Sequence, residues 1–224
     1  MRNKSGCIMA TVLSLSLLVS ACSAGTTPNT SGEKDTIQFK GILLHENSIL
    51  VTESTDQQLP KGELISLSFP EGIASPATGS LYKYEISSSL RESWPPQGSV
   101  KKIEEVQALA GHTVISFDAS EDILQHLPEN AHLIDVRTIE EYESGHVSGA
   151  QNISVDQIET AIQIAVPEKT DVIIVYCRSG NRSAQAGKIL EDMGYKVILD
   201  AGGIIDYTGE QVIGSDPGPL PGQA

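Results

Sequence analysis

The chain has 224 residues, of which 39% are hydrophobic, with 15 Lys and Arg against 29 Asp and Glu and a formal net charge of −14. This length fits one large domain or two small ones, and the composition allows a buried core. The acidic balance repels phosphate backbones and anionic lipid headgroups, so we expect no nucleic-acid partner and no membrane attachment through a basic patch. The three cysteines, Cys7, Cys22 and Cys177, are too few for a disulfide scaffold and too scattered for a zinc site.

Residues 1–21 have the pattern of a secretory signal peptide. Arg2 and Lys4 precede an apolar stretch at residues 8–21, which is shorter than the roughly 20 residues of a membrane-spanning helix. The segment Val19-Ser20-Ala21-Cys22 resembles the bacterial lipobox, which implies that Cys22 is acylated and becomes the N-terminus. The alternative is an ordinary secretory signal that contains a cysteine.

The lipobox interpretation predicts a bacterial lipoprotein. The protein would lie outside the cytoplasm, held on the cell membrane by the acyl chains on Cys22, since two such chains suffice for stable attachment. Residues 22–35 are rich in Ser, Thr, Gly, Asn and Pro. We expect them to form a flexible tether.

Residues 36–108 show strand signals and little helical periodicity. Apolar runs separated by turn residues predict a small all-β barrel or sandwich; they lie at 37–39, 42–44, 49–51, 63–69, 81–86 and 100–106. Residues 90–97, followed by 101–103, resemble part of a small domain of unknown function from secreted Bacillus-type proteins, which implies an OB-like barrel. Trp94, before two prolines, is interpreted as a core plug or a rigid corner rather than a ligand platform.

Beyond Gly111 the pattern alternates between strands and helices, which predicts an α/β domain. Strands are expected at 113–117, 133–136, 172–176 and 197–199, and the third is apolar throughout, as in a central parallel strand. Helix starts are expected at Ser120 (with the helix running to Leu127), at Thr138 with Glu141, at Ser154 with Gln157, and at Ser183. Residues 213–224 are rich in Pro and Gly and are expected to be disordered.

Cys177 falls at the carboxyl end of the central strand, where an open α/β sheet places its ligands. Helix N-terminal amides and nearby arginines favour a thiolate. Gly180 and Asn181 tolerate left-handed backbone, which lets successive amides point inward at an anion. The pattern predicts a reactive Cys177 in a substrate-binding loop made of Arg178, Ser179, Gly180, Asn181, Arg182 and Ser183.

Spaced motifs in this half are similar to those of a single rhodanese domain. In order, they lie at residues 133–137, 141–142, 145–150, 152–153 and 176–183. The resemblance covers residues 112–212 and implies a rhodanese-like parallel sheet flanked by helices. It further implies a sulfurtransferase without a cofactor, in which Cys177 carries sulfur as a persulfide from a donor such as thiosulfate to a thiol or cyanide acceptor. One departure is Tyr207, since the family often has tryptophan shortly after the Gly-Gly pair.

Other roles for these residues are less consistent with their spacing and setting. Related phosphatases place five residues between cysteine and arginine, whereas four separate Cys177 from Arg182, so a phosphatase is disfavoured. Asp135 and Arg137 are interpreted as a structural pair that braces the sheet end, and His146 as a loop anchor rather than a general base. The histidines have no metal-ligand spacing, so no metal is expected.

The leading hypothesis is an extracytoplasmic, lipid-anchored rhodanese-type sulfurtransferase. The alternative is a lipoprotein of another class, which relays sulfur, docks a partner or senses a ligand without turning over thiosulfate. The intact Cys177 loop favours the enzyme, because a pure binding module would not require a thiol there.

Overall fold

The structure is a computed structural model that describes residues 35–107 and 110–220. The expected signal peptide, Cys22 and all but the last residue of the expected tether therefore lie outside the described residues. Within the described residues, no helix is both long and apolar enough to cross a membrane.

The first half of the described chain consists of five strands. They are β1 Thr36–His45, β2 Ser48–Ser54, β3 Leu64–Ser68, β4 Leu81–Ser87 and β5 Gln97–Gln107. The strands close into a barrel in the order β1-β2-β3-β5-β4. Neighbouring strands are antiparallel except β3 and β5, which run parallel. The barrel interior includes the stacked rings of Phe39 and Tyr84.

The apolar runs expected as two separate strands at 37–39 and 42–44 form the single strand β1. A register shift at Lys40 and Gly41 lets β1 bend while it remains paired with β2. A Cβ atom on Gly41 would lie 2.6 Å from Ile49 Cγ2 and 2.9 Å from the Leu50 carbonyl oxygen. Glycine is therefore required where the two strands approach most closely.

The second half contains four helices, seven short strands and a 3-10 turn at Ile204–Asp206. The helices are α1 Phe117–His126, α2 Ile139–Glu143, α3 Ile158–Ala165 and α4 Asn181–Asp192. The strands are β6 His112–Val114, β7 Ala131–Asp135, β8 His146–Val147, β9 Gln151–Asn152, β10 Val172–Cys177, β11 Val197–Gly203 and β12 Gln211–Val212. Five of them form a parallel sheet in the order β6-β11-β10-β7-β9. The predicted α/β fold is confirmed, with β10 at the centre of the sheet.

The sheet is buried on both faces, which explains why β10 is apolar throughout. Ile173, Val175 and Cys177 face the cluster that packs on α3 and α4. Val172, Ile174 and Tyr176 face a second cluster that includes Phe117 and Leu124 of α1 and, from the barrel, Ile42, Leu44, Leu50 and Leu64. The barrel and the α/β half therefore share one apolar core.

Trp94 lies on the surface of the barrel, where 52% of the side chain is exposed. It is therefore not the core plug that was one of the two expectations. Its ring meets His126 at the end of α1 edge-on, with the centroids 5.9 Å apart. The same histidine ring lies 2.9 Å from the Ser48 hydroxyl of β2.

Two of the expected helix starts are wrong. Helix α1 begins at Phe117, because the Ser116 hydroxyl accepts a hydrogen bond from the Ala119 amide and acts as the N-cap. Ser120 lies inside the helix and donates to the Phe117 carbonyl oxygen, so residues 113–117 are not one strand. At α3, Gln157 precedes the helix without a side-chain cap, and the expected capping box does not form.

Of the other two expected helix starts, one is confirmed and one differs by two residues. The capping box of Thr138 and Glu141 is present at the start of α2. Helix α4 begins at Asn181 after Gly180, two residues before the expected Ser183.

Residues 213–220, for which disorder was expected, contact the turn that follows β8. The Gly149 amide donates to the Pro217 carbonyl oxygen, and the Ser148 hydroxyl donates to that of Pro219, at 2.7 Å. Leu220 packs against the core that the barrel shares with the sheet. Residues 221–224, for which disorder was also expected, lie outside the described residues.

Candidate active site

The cysteine loop connects the central strand β10 to helix α4. Cys177 is the last residue of β10, and Gly180 is the N-cap of α4 with φ +92°. This left-handed conformation favours glycine, because a Cβ atom would be strained there. It turns the chain so that the first amides of α4 point back toward the cysteine.

The thiol of Cys177 is held among these donors. The Gly180 amide lies 3.1 Å from Sγ, and the residue is only 1% exposed. Burial by itself would raise the pKa of Cys177, but hydrogen bonds from the amides of Ser183, Ser179 and Gly180 and from the Ser183 hydroxyl outweigh it and lower the pKa. The loop therefore favours the thiolate, which is the nucleophilic form.

The neighbouring strand β11 fixes the outer part of the loop. Gly203 pairs with Cys177 in the parallel register. A Cβ atom on Gly203 would lie 2.6 Å from Ser179 Cα and 2.7 Å from the Arg178 carbonyl oxygen. The same carbonyl accepts a hydrogen bond from the Ile205 amide. Gly203 is the second residue of the Gly-Gly pair, and its contact with the loop is visible only when the two strands are placed side by side.

The two loop arginines have different surroundings. Arg182 donates to both carboxylate oxygens of Glu141, at 2.6 and 2.8 Å. The pKa of Arg182 is raised, chiefly by these hydrogen bonds and further by its interaction with Cys177. Arg178 is exposed, and its guanidinium has no hydrogen-bond or ion-pair partner among the described residues. Of the two, Arg178 is thus the one free to meet an anionic substrate.

Glu141 was recognised from the sequence only as part of a capping box. The Glu141 carboxylate binds Arg182 and also completes the capping box, since one of its oxygens accepts a hydrogen bond from the Thr138 amide. The pKa of Glu141 is lowered to about 2, first by the hydrogen bonds from Arg182. It lies 41 residues from Arg182 in sequence, so sequence spacing gave no signal for the pair.

Asp135 and Arg137 form a buried ion pair at the end of β7. The Arg137 guanidinium donates to Asp135 Oδ2 from Nη2 at 2.6 Å and from Nε at 2.9 Å. The Arg137 amide donates to Asp135 Oδ1, and Nη2 also donates to the Gly145 carbonyl oxygen at 2.7 Å. The pair thereby links the sheet end to the loop after α2.

His146 directly follows that loop, as the first residue of β8, and is fully buried. Its ring stacks on Tyr142, and its two nitrogens each lie 3.0 Å from a carbonyl oxygen, of Tyr142 and of Asp216. These contacts fit a loop anchor. No cluster of three or more possible metal-ligating side chains occurs within residues 35–107 and 110–220.

A cavity of about 550 Å³ lies beside the cysteine loop. Gly202 and Gly203 of β11 are among its lining residues, and its charged lining residues are three carboxylates, those of Asp118, Glu121 and Asp206. The Tyr207 hydroxyl, near the position where a tryptophan was expected, donates to Glu121 at 2.9 Å. The cavity beside the loop is therefore acidic, in contrast to the loop itself.

The fold and the loop together define a protein of the parallel α/β class in which a buried thiol faces the amides of a short loop. Comparison with models of protein families assigns the chain to one family of this class. A model of the Rhodanese-like domain matches residues 119–210. The chain belongs to the rhodanese-like family.

Several relatives align with part of the chain. The thiosulfate sulfurtransferase PspE of Escherichia coli K12 is 45% identical over 83 residues, which cover 37% of this chain and 80% of that protein. A putative mitochondrial thiosulfate sulfurtransferase of Schizosaccharomyces pombe is 38% identical over 95 residues, covering 38% of this chain and 63% of that one. A solved rhodanese structure from E. coli, with anions, is 44% identical, covers 38% of this chain and 99% of that one, and gives a TM-score of 0.36. The chain thus has homologues named as sulfurtransferases.

Proposed function

We propose that the protein is a rhodanese-type sulfurtransferase that works outside the cytoplasm and carries sulfane sulfur on Cys177. The observation that supports this most directly is the thiol itself. Three amides and a hydroxyl lower the pKa of Cys177 below that of an ordinary thiol, against the opposing effect of burial. The same donors would stabilise the negative charge of a persulfide at this position, without reorganising during the reaction.

The proposed reaction has two steps. The Cys177 thiolate attacks the outer sulfur of thiosulfate, an S–S bond forms to the cysteine, and sulfite leaves with the electron pair of the broken bond. A thiolate or cyanide then attacks the outer sulfur of the persulfide, which restores the Cys177 thiolate. Charge and atoms balance in both steps, and no general base is needed.

The loop geometry supports a role for five of the six predicted loop residues, and the sixth, Asn181, is the first residue of α4. Ser179, Gly180 and Ser183 supply donors to the sulfur, and Arg182 is held in place by Glu141. Arg178 is free to attract an anionic donor. Four residues between Cys177 and Arg182 make a tighter cradle than a phosphatase loop with five, which suits one sulfur atom better than a phosphoryl group.

Persulfide formation tests this proposal. The purified protein is incubated with thiosulfate and analysed by mass spectrometry, where we expect a gain of one sulfur atom that cyanide removes. Cys177→Ser should show no gain, and Arg178→Gln should slow loading by thiosulfate while leaving the thiol reactive to a neutral alkylating agent. If the wild-type protein gains no sulfur from thiosulfate or from other sulfur donors, the proposal is wrong.

The acidic cavity beside the loop favours a second candidate function, a sulfur relay that does not turn over free thiosulfate. The carboxylates of Asp118, Glu121 and Asp206 line the cavity next to Gly203, so the electrostatic field on this side of the loop disfavours a dianionic donor. A relay predicts that a protein persulfide or an uncharged polysulfide loads Cys177 faster than thiosulfate does. Comparing the initial loading rates of these donors separates the two functions.

We further propose that Cys22 is lipidated and that the protein is attached to the outer face of the cell membrane. The signal-like residues 1–21 and the lipobox-like segment before Cys22 support this. In the host, labelled fatty acid should be incorporated into the wild-type protein and not into Cys22→Ser. Label retained by that variant would contradict lipid attachment at Cys22.

The N-terminal half is proposed to be an OB-like barrel. The closed strand order β1-β2-β3-β5-β4, with the parallel contact between β3 and β5, supports this assignment. An experimental structure of the barrel would test it, because a sandwich of two separate sheets would contradict it.

A further inference from the structure

A second cavity, of about 430 Å³, lies on the barrel, and none of its lining residues belongs to the α/β half. This volume is in the range of roughly 300–1,000 Å³ that is usual for small-molecule sites. Its floor is the parallel pair of β3 and β5, where Leu67 stands opposite Gly98. Asn47, from the turn between β1 and β2, and Arg91, from the segment between β4 and β5, contribute to its rim.

Backbone hydrogen bonds hold both rims in place. The Leu67 amide donates to the Asn47 carbonyl oxygen, and the Ser66 amide donates to that of Pro96, both at 2.9 Å. The Arg91 amide donates to the Gln97 carbonyl oxygen, also at 2.9 Å. The cavity is therefore formed before any ligand arrives, which lowers the ordering cost of binding.

Five serines line the cavity, and most of their hydroxyls are unused by the protein. Ser68 donates to the Gly98 carbonyl oxygen at 3.2 Å. Within residues 35–107 and 110–220, the hydroxyls of the other four have no partner; they are Ser66, Ser87, Ser89 and Ser99. Each hydroxyl can donate one hydrogen bond and accept others. The lining therefore matches a ligand that itself carries several hydroxyl groups.

The charge of the cavity differs from that of the chain. Arg91 is its only ionisable lining residue, and no carboxylate lines it, although the chain has a net charge of −14. The Arg91 guanidinium makes one long contact, 3.4 Å from Nη1 to the neutral Gln97 Oε1, and no ion pair among the described residues. A guanidinium in this state can bind a carboxylate or a phosphate through two parallel hydrogen bonds.

We propose that this cavity, called here the serine cavity, binds a polyhydroxylated ligand with one anionic group, such as a sugar that carries a carboxylate or a phosphate. Arg91 holds the anionic group, and the serine hydroxyls with Asn47 and Gln97 bind the ligand hydroxyls. This function is independent of sulfur transfer at Cys177, because the two sites share no residue.

The test is binding of three probes to the full-length protein, measured by ligand-observed NMR and by titration calorimetry. The probes are D-glucuronate, D-glucose 6-phosphate and D-glucose. We expect one or both anions to bind at least tenfold more tightly than glucose, and the anion that binds identifies the group that Arg91 recognises. No binding of any probe, or equal affinity for glucose and both anions, overturns the proposal.

Two matched variants assign the binding to the serine cavity. Arg91→Gln should weaken anion binding at least tenfold while leaving persulfide formation at Cys177 unchanged. Arg178→Gln removes an exposed arginine that lies outside the serine cavity, in the cysteine loop, and should leave sugar binding unchanged. If both variants weaken binding equally, the ligand is held by general charge attraction and the proposal fails. Circular dichroism spectra that match the wild-type spectrum show that the variants are folded.

Discussion

Replacing Arg137 with methionine tests whether the buried pair braces the sheet end. The Asp135 side chain is 0% exposed and that of Arg137 is 7% exposed. Methionine would fill much of the space of the arginine side chain. Of the donors to Asp135 described above, only the amide of residue 137 would remain. The Gly145 carbonyl oxygen would lose the hydrogen bond from Arg137. Breaking a buried ion pair by removing one partner costs about 3–5 kcal/mol, a large part of the roughly 5–15 kcal/mol that stabilises a typical domain.

The assay is urea unfolding followed by circular dichroism, which compares the free energy of unfolding of each variant with that of the wild-type protein. Lys40→Met is the matched control, because the Lys40–Glu53 pair has a similar distance of 2.8 Å but side chains that are 37% and 66% exposed. An exposed pair contributes about 0–1 kcal/mol. The double variant Asp135→Asn, Arg137→Met should recover part of the loss, since it removes the unpaired charge.

The bracing role would be refuted by two results. One is a change of less than about 1 kcal/mol in Arg137→Met, well below the cost of an unpaired buried charge. The other is an equal loss in Arg137→Met and Lys40→Met, which would show that burial of the pair is irrelevant.

Three further predictions concern the loop and its supports. Alkylation of Cys177 by iodoacetamide should reach half of its maximal rate at a lower pH than that of an ordinary thiol, and Ser183→Ala should move this midpoint upward, because one donor to the thiolate is lost. The pKa of Glu141 is lowered from 4.5 to about 2. Its ion pair with Arg182 therefore stabilises the fold fully above about pH 4.5 and loses this effect as the pH falls through 2. Over this range the free energy of unfolding should fall less steeply with decreasing pH in Glu141→Gln than in the wild-type protein. Both side chains of that pair are 31% exposed, so we expect a contribution of about 1 kcal/mol or less. Gly203→Ala should slow persulfide formation at least roughly tenfold, because the added methyl group would displace Ser179 and small misplacements of reacting groups are costly; wild-type loading rates in this variant would show that the loop tolerates the shift.

Several features of the α/β half could be predicted from short stretches of the sequence. The apolar run of β10 is hydrophobic on both faces because the sheet is covered on both sides, and the residues after it form a loop because Gly180 adopts a left-handed conformation. The capping box at Thr138 and Glu141 was also visible, since its two partners lie three residues apart. These features depend on neighbours in sequence.

Features that depend on distant residues were missed. The bond between Glu141 and Arg182 joins α2 to α4, and the close approach of Gly203 to Ser179 joins β11 to the cysteine loop. The start of α1 was misplaced because Ser116 and Ser120 are both good capping residues, and the packing of Phe117 inside the core favours the earlier one. Composition alone suggested disorder in the tail, whereas Leu220 is held by an apolar surface that the sequence did not reveal.

The shared core has a consequence for how this chain can be divided. Ile42, Leu44, Leu50 and Leu64 of the barrel belong to the same cluster as Leu133 and Ile174 of the sheet, and the described residues belong to one compact unit. A cut at the junction near residue 110 would expose this apolar surface on both fragments, at about 25 cal/mol for each Å² newly exposed to water. The barrel therefore supplies part of the interior of the rhodanese half, and we expect each fragment of such a cut to be less stable than the same residues within the intact chain.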